Sequence, residues 1–133
     1  MKGYKGFDKD MKCLGMQFEV GQTYEVPEAV LCEKGLHFCA NPLDCLTYYK
    51  PGESVYAETE AGGDIAPAEN GVDSKRCSTR LTIGAKLSIG DLVRASVEYI
   101  KKSCAASTGT RAHCASTGDW AHAATTGYGA HAA

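Results

Sequence analysis

Five side chains in the first half of the chain have the chemistry to build a site: His37, Tyr48, Tyr49, Tyr56 and Glu58. His37 sits in the stretch KGLHFC, between Leu36 and Phe38. If that stretch is a strand with Leu36 and Phe38 turned to a core, His37 points the other way, outward or into a pocket. An imidazole, paired phenols and a later carboxylate are residue types from which a binding site can be built. The same aromatic spacings also serve simply to build a core, and a site needs convergence in space that spacing alone does not provide. The five are therefore candidate binding residues, with no residue assigned to catalysis.

The cysteines are the second constellation. There are seven, at positions 13, 32, 39, 45, 77, 104 and 114. The number is odd, no CxxC pair occurs, and the lysines of MKGYKGFDKDMKC are not followed by the apolar stretch of a signal peptide. Reduced thiols acting as small buried hydrophobes are the expected state. Cys32, His37, Cys39 and Cys45 cluster, but their spacings do not match the usual zinc patterns. No nucleophile elbow, phosphate-cradling glycine loop or paired metal ligands on a helix is present, so no cofactor and no metal are expected. Lys9, Asp10 and Lys12 read as a solvated turn, and the acidic stretch Asp64–Asp73 as a loop or a partner-facing surface.

The elements that must position these groups read as α+β. MKGYKGF, MQFEV and GQTYEV have strand character, with a charged turn between the first two. AVLCEKGLHFCA suggests two short strands about a Lys34-Gly35 turn. NPLDCLTYY predicts a short helix with Asn41 as N-cap and Pro42 in the first position. SVYAETEA alternates, with Val55, Ala57 and Thr59 on one face and Tyr56, Glu58 and Glu60 on the other. GGDIAPAENGVDSK reads as a loop, and RCSTRLTIGAKLS as a strand with a bulge at Gly84. Ser88, with Asp91 three residues on, predicts a capped helix over IGDLVRASVEYIKKS whose apolar stripe packs on the sheet.

The composition changes near residue 104. From there GTRAHCAST, GDWAHAATT and GYGAHAA repeat with a period of nine. Gly109, Gly118 and Gly127 open the units, and His113, His122 and His131 hold the fifth place. Nine residues make about 2.5 turns of an α-helix, which would throw successive units to opposite sides. Two such units suit one coil of a β-solenoid, with glycine at the corners and alanine inside. Calcium-binding nonapeptides need recurrent aspartate, and only Asp119 is present, so the histidines are read as structural positions. Solenoids need about three or more stacked units, and the last unit here is incomplete, so the array reads as cut. The expected fold class is thus α+β: a small, mostly antiparallel sheet with two helices, then the start of a β-solenoid-like nonapeptide repeat. The expected domains are 1–103 and 104–133.

Net charge is −2 over 133 residues. That gives no support for nucleic-acid binding, which favours a strongly basic face, and no apolar run of about 18 residues marks a membrane span.

The blocks YKGFDKDMKCLGMQFEVGQTYE, LCEKGLHFCANPLDCLTYY, SVYAETEAGGD and LTIGAKLS, in that order, resemble an uncharacterised domain of phage and prophage proteins. In that family arrays close to ATTGDWAHAATTG commonly follow. The resemblance implies a phage origin, a longer natural protein and the cytoplasm of an infected host bacterium, and it brings no activity with it. The leading expectation is a non-enzymatic binding protein that inhibits or sequesters a host defence component, either a host protein or a small nucleotide, with a homo-oligomer formed through the repeat. The His37 and tyrosine region keeps open an NAD-using enzyme similar to ADP-ribosyltransferases. A virion structural or adhesive part with the repeat as spacer is the third reading.

Overall fold

The computed structural model describes residues 1–68 and 73–106. In chain order the elements are β1 (Lys2–Asp8), β2 (Lys12–Cys13), β3 (Met16–Gln17), β4 (Thr23–Glu25), β5 (Leu36–Cys39), a 3₁₀ turn (Pro42–Asp44) leading into α1 (Cys45–Tyr48), β6 (Ser54–Ala66), β7 (Lys75–Leu87) and α2 (Ile89–Ala106). Residues 1–93 form one compact unit and residues 94–133 a second, described as far as the end of α2.

β6 and β7 are a long antiparallel hairpin of 13-residue strands. β1 lies antiparallel on the free edge of β6, with Lys5 beside Ala57 and Phe7 beside Val55. Along the other edge of β7 come β5, with His37 beside Cys77, and then β4, with Tyr24 beside Leu81. β1 and β5 meet at Tyr4 and Cys39. The ring β1–β6–β7–β5 therefore closes on itself as a four-strand barrel, with β4 as an extension. β2 and β3 form a separate two-stranded hairpin.

This corrects the expected fold class. The sheet is not an open layer, because β7 is paired on both edges and β1 returns to β5. Alternation reports which face of a strand is buried and is silent on whether the edges meet. No solenoid coil occurs among the described residues, and the repeat positions Gly109, Gly118, Gly127, His113, His122 and His131 lie outside them. Lys34-Gly35 does not turn one strand into another. Val30 and Lys34 close a tight loop by a single bridge, and only Leu36–Cys39 joins the sheet. The hairpin strand β6 runs on to Ala66, through the first part of the stretch read as a loop.

So small a ring requires sharply bent strands, and two bulges supply the bend. One is at Gly84, as the sequence suggests: the register of β6 and β7 shifts between Ala57 and Thr59, where Gly84 and Ala85 stand opposite Glu58. The other lies between Gly62 and Ile65. There Gly63 takes a φ of 69°, and a Cβ on it would come within 2.1 Å of Thr79 Oγ1. That hydroxyl accepts a bond from the Asp64 amide at 2.9 Å.

The barrel is filled by Phe7, Leu36, Phe38, Ala57, Ala61, Leu81 and Ile83, with Met11 and Phe18 from the β1–β3 region closing over it. α2 starts as read from its cap: Ser88 Oγ accepts the Asp91 amide at 3.1 Å and Asp91 Oδ2 accepts the Ser88 amide at 2.9 Å. The helix continues to Ala106, so Lys101 and Lys102 fall before its last turn.

Thr59 is the inconsistent element of this interior. It is 3% exposed and its hydroxyl has no hydrogen-bond partner among the described residues. A buried hydroxyl without a partner costs free energy that a methyl group does not. Thr59→Val is expected to raise the unfolding free energy by about 1 kcal/mol, seen as a higher urea midpoint at unchanged slope. A lower midpoint would show that the hydroxyl is bonded after all.

Candidate functional site

The site begins at an interrupted seam. If the register of β1 and β5 continued past Tyr4 and Cys39, Gly6 would pair with His37. No pair beyond the first is made. The carbonyl of His37 is instead taken by the side chain of Lys5, whose Nζ donates to it at 2.7 Å. Lys5 sits on the same face of β1 as Phe7 and beside Ala57, so its methylenes start within the barrel and its amine ends in the open seam. The residue is 6% exposed. Its Nζ lies 5.5 Å from the ring of Phe18 and 5.7 Å from that of Phe7. Burial holds its pKa below the ordinary lysine value.

A cavity of about 350 Å³ opens at this seam, lined by Lys5, His37, Phe38, Tyr48, Tyr49 and Lys75 among others. Four thiols also line it: Cys13, Cys32, Cys39 and Cys45. Among the described residues none of the lining side chains is a carboxylate. The 3₁₀ turn and α1 bring the tyrosines in. Asn41 Oδ1 accepts the Leu43 amide at 3.2 Å and Pro42 occupies the first position, as the sequence suggests. Asp44 then accepts from the amide and hydroxyl of Ser74, at 2.8 and 2.6 Å, and pins the helix to the start of β7. The Tyr49 ring lies against β1 at Gly6, where a Cβ would be 2.6 Å from it. Glycine is the residue that permits this approach.

The phenols have fixed partners. Tyr49 donates to Cys13 Sγ at 2.9 Å. Tyr48 donates to Asp73, and that bond lowers the carboxyl pKa and raises the phenol. Lys75 Nζ stands 4.5 Å from the centre of the Tyr48 ring, a cation–π contact. Cys45 is 2% exposed, and its hydrogen bond with Cys39, then burial, push its thiol up. All six described cysteines are free thiols. Among the described residues no three His, Cys, Asp or Glu side chains are grouped as metal ligands.

Of the five residues singled out in the sequence, the structure brings three together: His37, Tyr48 and Tyr49 line the cavity. Tyr56 stands behind it, 3% exposed, with its hydroxyl donating to the Tyr49 carbonyl at 2.5 Å. Glu58 lies beside Tyr4 on the outer face of β6, 3.6 Å from Lys2 Nζ, and does not line the cavity. Lys5, Cys13 and Lys75 were not foreseen. A lysine inside an alternating strand reads as a solvated face, and the only hint was its place between Gly3 and Phe7 on one side of β1.

His37 shows the electrostatics of the site. Its Nε2 accepts the Cys32 amide at 3.1 Å, which fixes the neutral ring with its proton on Nδ1. Cys32 adopts a φ of 66° to make that contact. Burial, then the charges of Lys75 and Lys5, bring the imidazole pKa down to about 4. A folded-state pKa below the ordinary 6.5 means that the unfolded chain takes up the proton first. The contribution to stability is present above pH 6.5 and is lost as pH falls from there toward 4. In urea titrations between pH 7 and pH 5, before most carboxylates titrate, stability is expected to decline with acid, and His37→Gln should flatten that decline. An unchanged slope in the variant would mean that His37 titrates normally.

Residues 1–95 match a family model described as a domain of unknown function, DUF7666. The match spans the barrel, the site and the first turns of α2. Comparison with curated proteins and with solved structures finds no match. With its barrel, its interrupted seam and its lysine-floored cavity all inside the matched residues, the chain belongs to the DUF7666 family.

Proposed function

We propose that this domain is a non-enzymatic binding protein whose cavity takes up a small ligand with a flat apolar body and an anionic group. The observation that carries the reading is the buried amine of Lys5, at the floor of a cavity with no carboxylate among its described lining residues. Buried charges are ordinarily paired. Here a second amine, Lys75, lines the same space, so the complement to both is an anion brought by a ligand. The tyrosine and phenylalanine walls suit a ring, and about 350 Å³ is the lower end of the range for small-molecule sites. A mononucleotide has this chemistry.

The sequence resemblance to phage and prophage domains suggests the setting: sequestration of a small signalling or defence metabolite in an infected bacterium. Among the described residues no helix is long and apolar enough to cross a membrane, which is compatible with that setting. The NAD-using reading counted on Glu58, which stands outside the cavity. The virion-spacer reading rests on repeat residues outside the described ones.

A titration of the isotope-labelled chain with adenosine 5′-monophosphate tests the proposal. Amide shifts are expected to centre on residues 4–6, 13–14 and 37–39. Adenosine should bind about tenfold more weakly, the worth of one charge-assisted contact of about 1.4 kcal/mol, and Lys75→Glu should weaken the nucleotide similarly. Shifts scattered over the surface, or none at millimolar nucleotide, would remove the reading.

A further inference from the structure

Lys5 has an arrangement that ligand binding alone does not explain. An ammonium meant only to hold an anion gains from being fully charged. This one is placed where burial outweighs the groups that favour the charge, the rings of Phe7 and Phe18 and the thiols of Cys13, Cys45 and Cys39. It is 6% exposed, and aromatic rings of β1 and of the segment after β3 lie under it. The groups that face it from the packed elements are Cys13 on β2, His37 and Cys39 on β5, and Cys45 on α1, with Lys75 on β7 lining the same cavity. His37 is neutral, Lys75 repels a second cation, and none of these groups is a carboxylate.

The amine is nonetheless fixed in place by the His37 carbonyl at 2.7 Å. That bond and a hydrogen bond with Cys13 hold the nitrogen, and its lone pair becomes available once the amine is neutral. A desolvated lysine amine held in an apolar pocket is a nucleophile toward carbonyl carbon.

We propose that Lys5 forms a reversible imine with a small aldehyde or ketone that carries an anionic group, in the cavity at the β1–β5 seam. The inference rests on the ligand-binding reading above and names the ligand's reactive group. The Nζ lone pair attacks the carbonyl carbon while the carbonyl electron pair moves to oxygen, which takes a proton. The nitrogen then loses a proton, giving a neutral carbinolamine. Protonation of its hydroxyl lets water leave as the nitrogen lone pair forms the C=N bond, and a last proton is given back. Amine and carbonyl become imine and one water, with no oxidant or reductant. Lys75 faces the anionic group, and the Lys75 ammonium or solvent supplies the proton. The apolar walls restrict the water that would reverse the step.

Pyridoxal 5′-phosphate is a suitable probe, because it is a flat aldehyde with a phosphate. Its alcohol, pyridoxine 5′-phosphate, has the same body and anion without the carbonyl. The full chain is incubated with substoichiometric aldehyde at pH 6.5 and at pH 8, reduced with borohydride and peptide-mapped by mass spectrometry. One adduct per chain, on Lys5, is expected to dominate at both pH values, whereas labelling of the exposed lysines falls at pH 6.5. Lys5→Met, which keeps the volume and removes the amine, should abolish that adduct, and pyridoxine 5′-phosphate should bind it more weakly than it binds the wild-type chain. The wild-type map decides the matter even if that variant does not fold.

Labelling spread over surface lysines, or absent from Lys5, while pyridoxine 5′-phosphate binds in the cavity, would overturn the imine and leave the binding reading standing. If the alcohol does not bind either, both readings fall.

Discussion

Closing a sheet with four strands is the constraint on which the rest of this domain depends. A ring so small leaves room for only a thin interior and demands strands that bend steeply. The chain meets both demands with the β6–β7 hairpin. Its strands are 13 residues long, they carry both bulges, and β7 serves as the common partner of β4, β5 and β6. Ala57 and Ala61 on β6 keep the interior narrow, while Leu81 and Ile83 on β7 fill what remains. Register is then fixed by the bulges as much as by the hydrophobic pattern, because a shift by one residue would move Ala57 outward and Glu58 inward.

Closure also decides where the cavity lies. Three of the four seams are ladders of at least four residue pairs and the last, between β1 and β5, is one residue pair. The unpaired edge of β5 would expose a carbonyl inside the fold, and an unsatisfied buried carbonyl is costly. Lys5 answers that need with its side chain. The gap between the strands is the space that Tyr48 and Tyr49 partly cover from α1. The buried amine and the cavity are thus both consequences of closing the barrel through one incomplete seam.

Local order was legible in the sequence where a single residue type performs a local task. Asn41 and Pro42 start the short helix, Ser88 and Asp91 start α2, and Gly84 marks a bulge. The alternation of residues 54–61 correctly assigns Ala57 and Thr59 to the interior, although Tyr56 on the opposite face is buried too, beneath the Tyr49 backbone. Closure was not legible, because it depends on β1 meeting β5 across more than thirty residues, and no periodicity within either strand encodes that pairing. The candidate site was legible by half. His37, Tyr48 and Tyr49 were visible as chemistry-bearing types, while Lys5 looked like an ordinary charge on a strand. The apolar context that makes Lys5 unusual comes from Phe18 and Cys45, which are remote in sequence.

A lysine in this position works against folding. Below the ordinary lysine range the unfolded chain holds its proton at no cost, while the folded chain either buries a cation or gives the proton up. The penalty is greatest at low pH, and it is relieved as pH rises past the lowered value toward the ordinary one. A methionine would fill a similar volume beside Ala57, Phe7 and Phe18 without that penalty, but it would leave the His37 carbonyl without its donor. The bond to the His37 carbonyl is the amine's structural contribution, and it is made against the cost of desolvating the amine. Local sacrifices of stability of this kind gather at sites that must bind or react. The same reasoning separates Lys5 from the thiols around it. Cys39 and Cys45 pack as small apolar groups and satisfy each other, so their burial is ordinary, whereas Lys5 buries an amine at a cost.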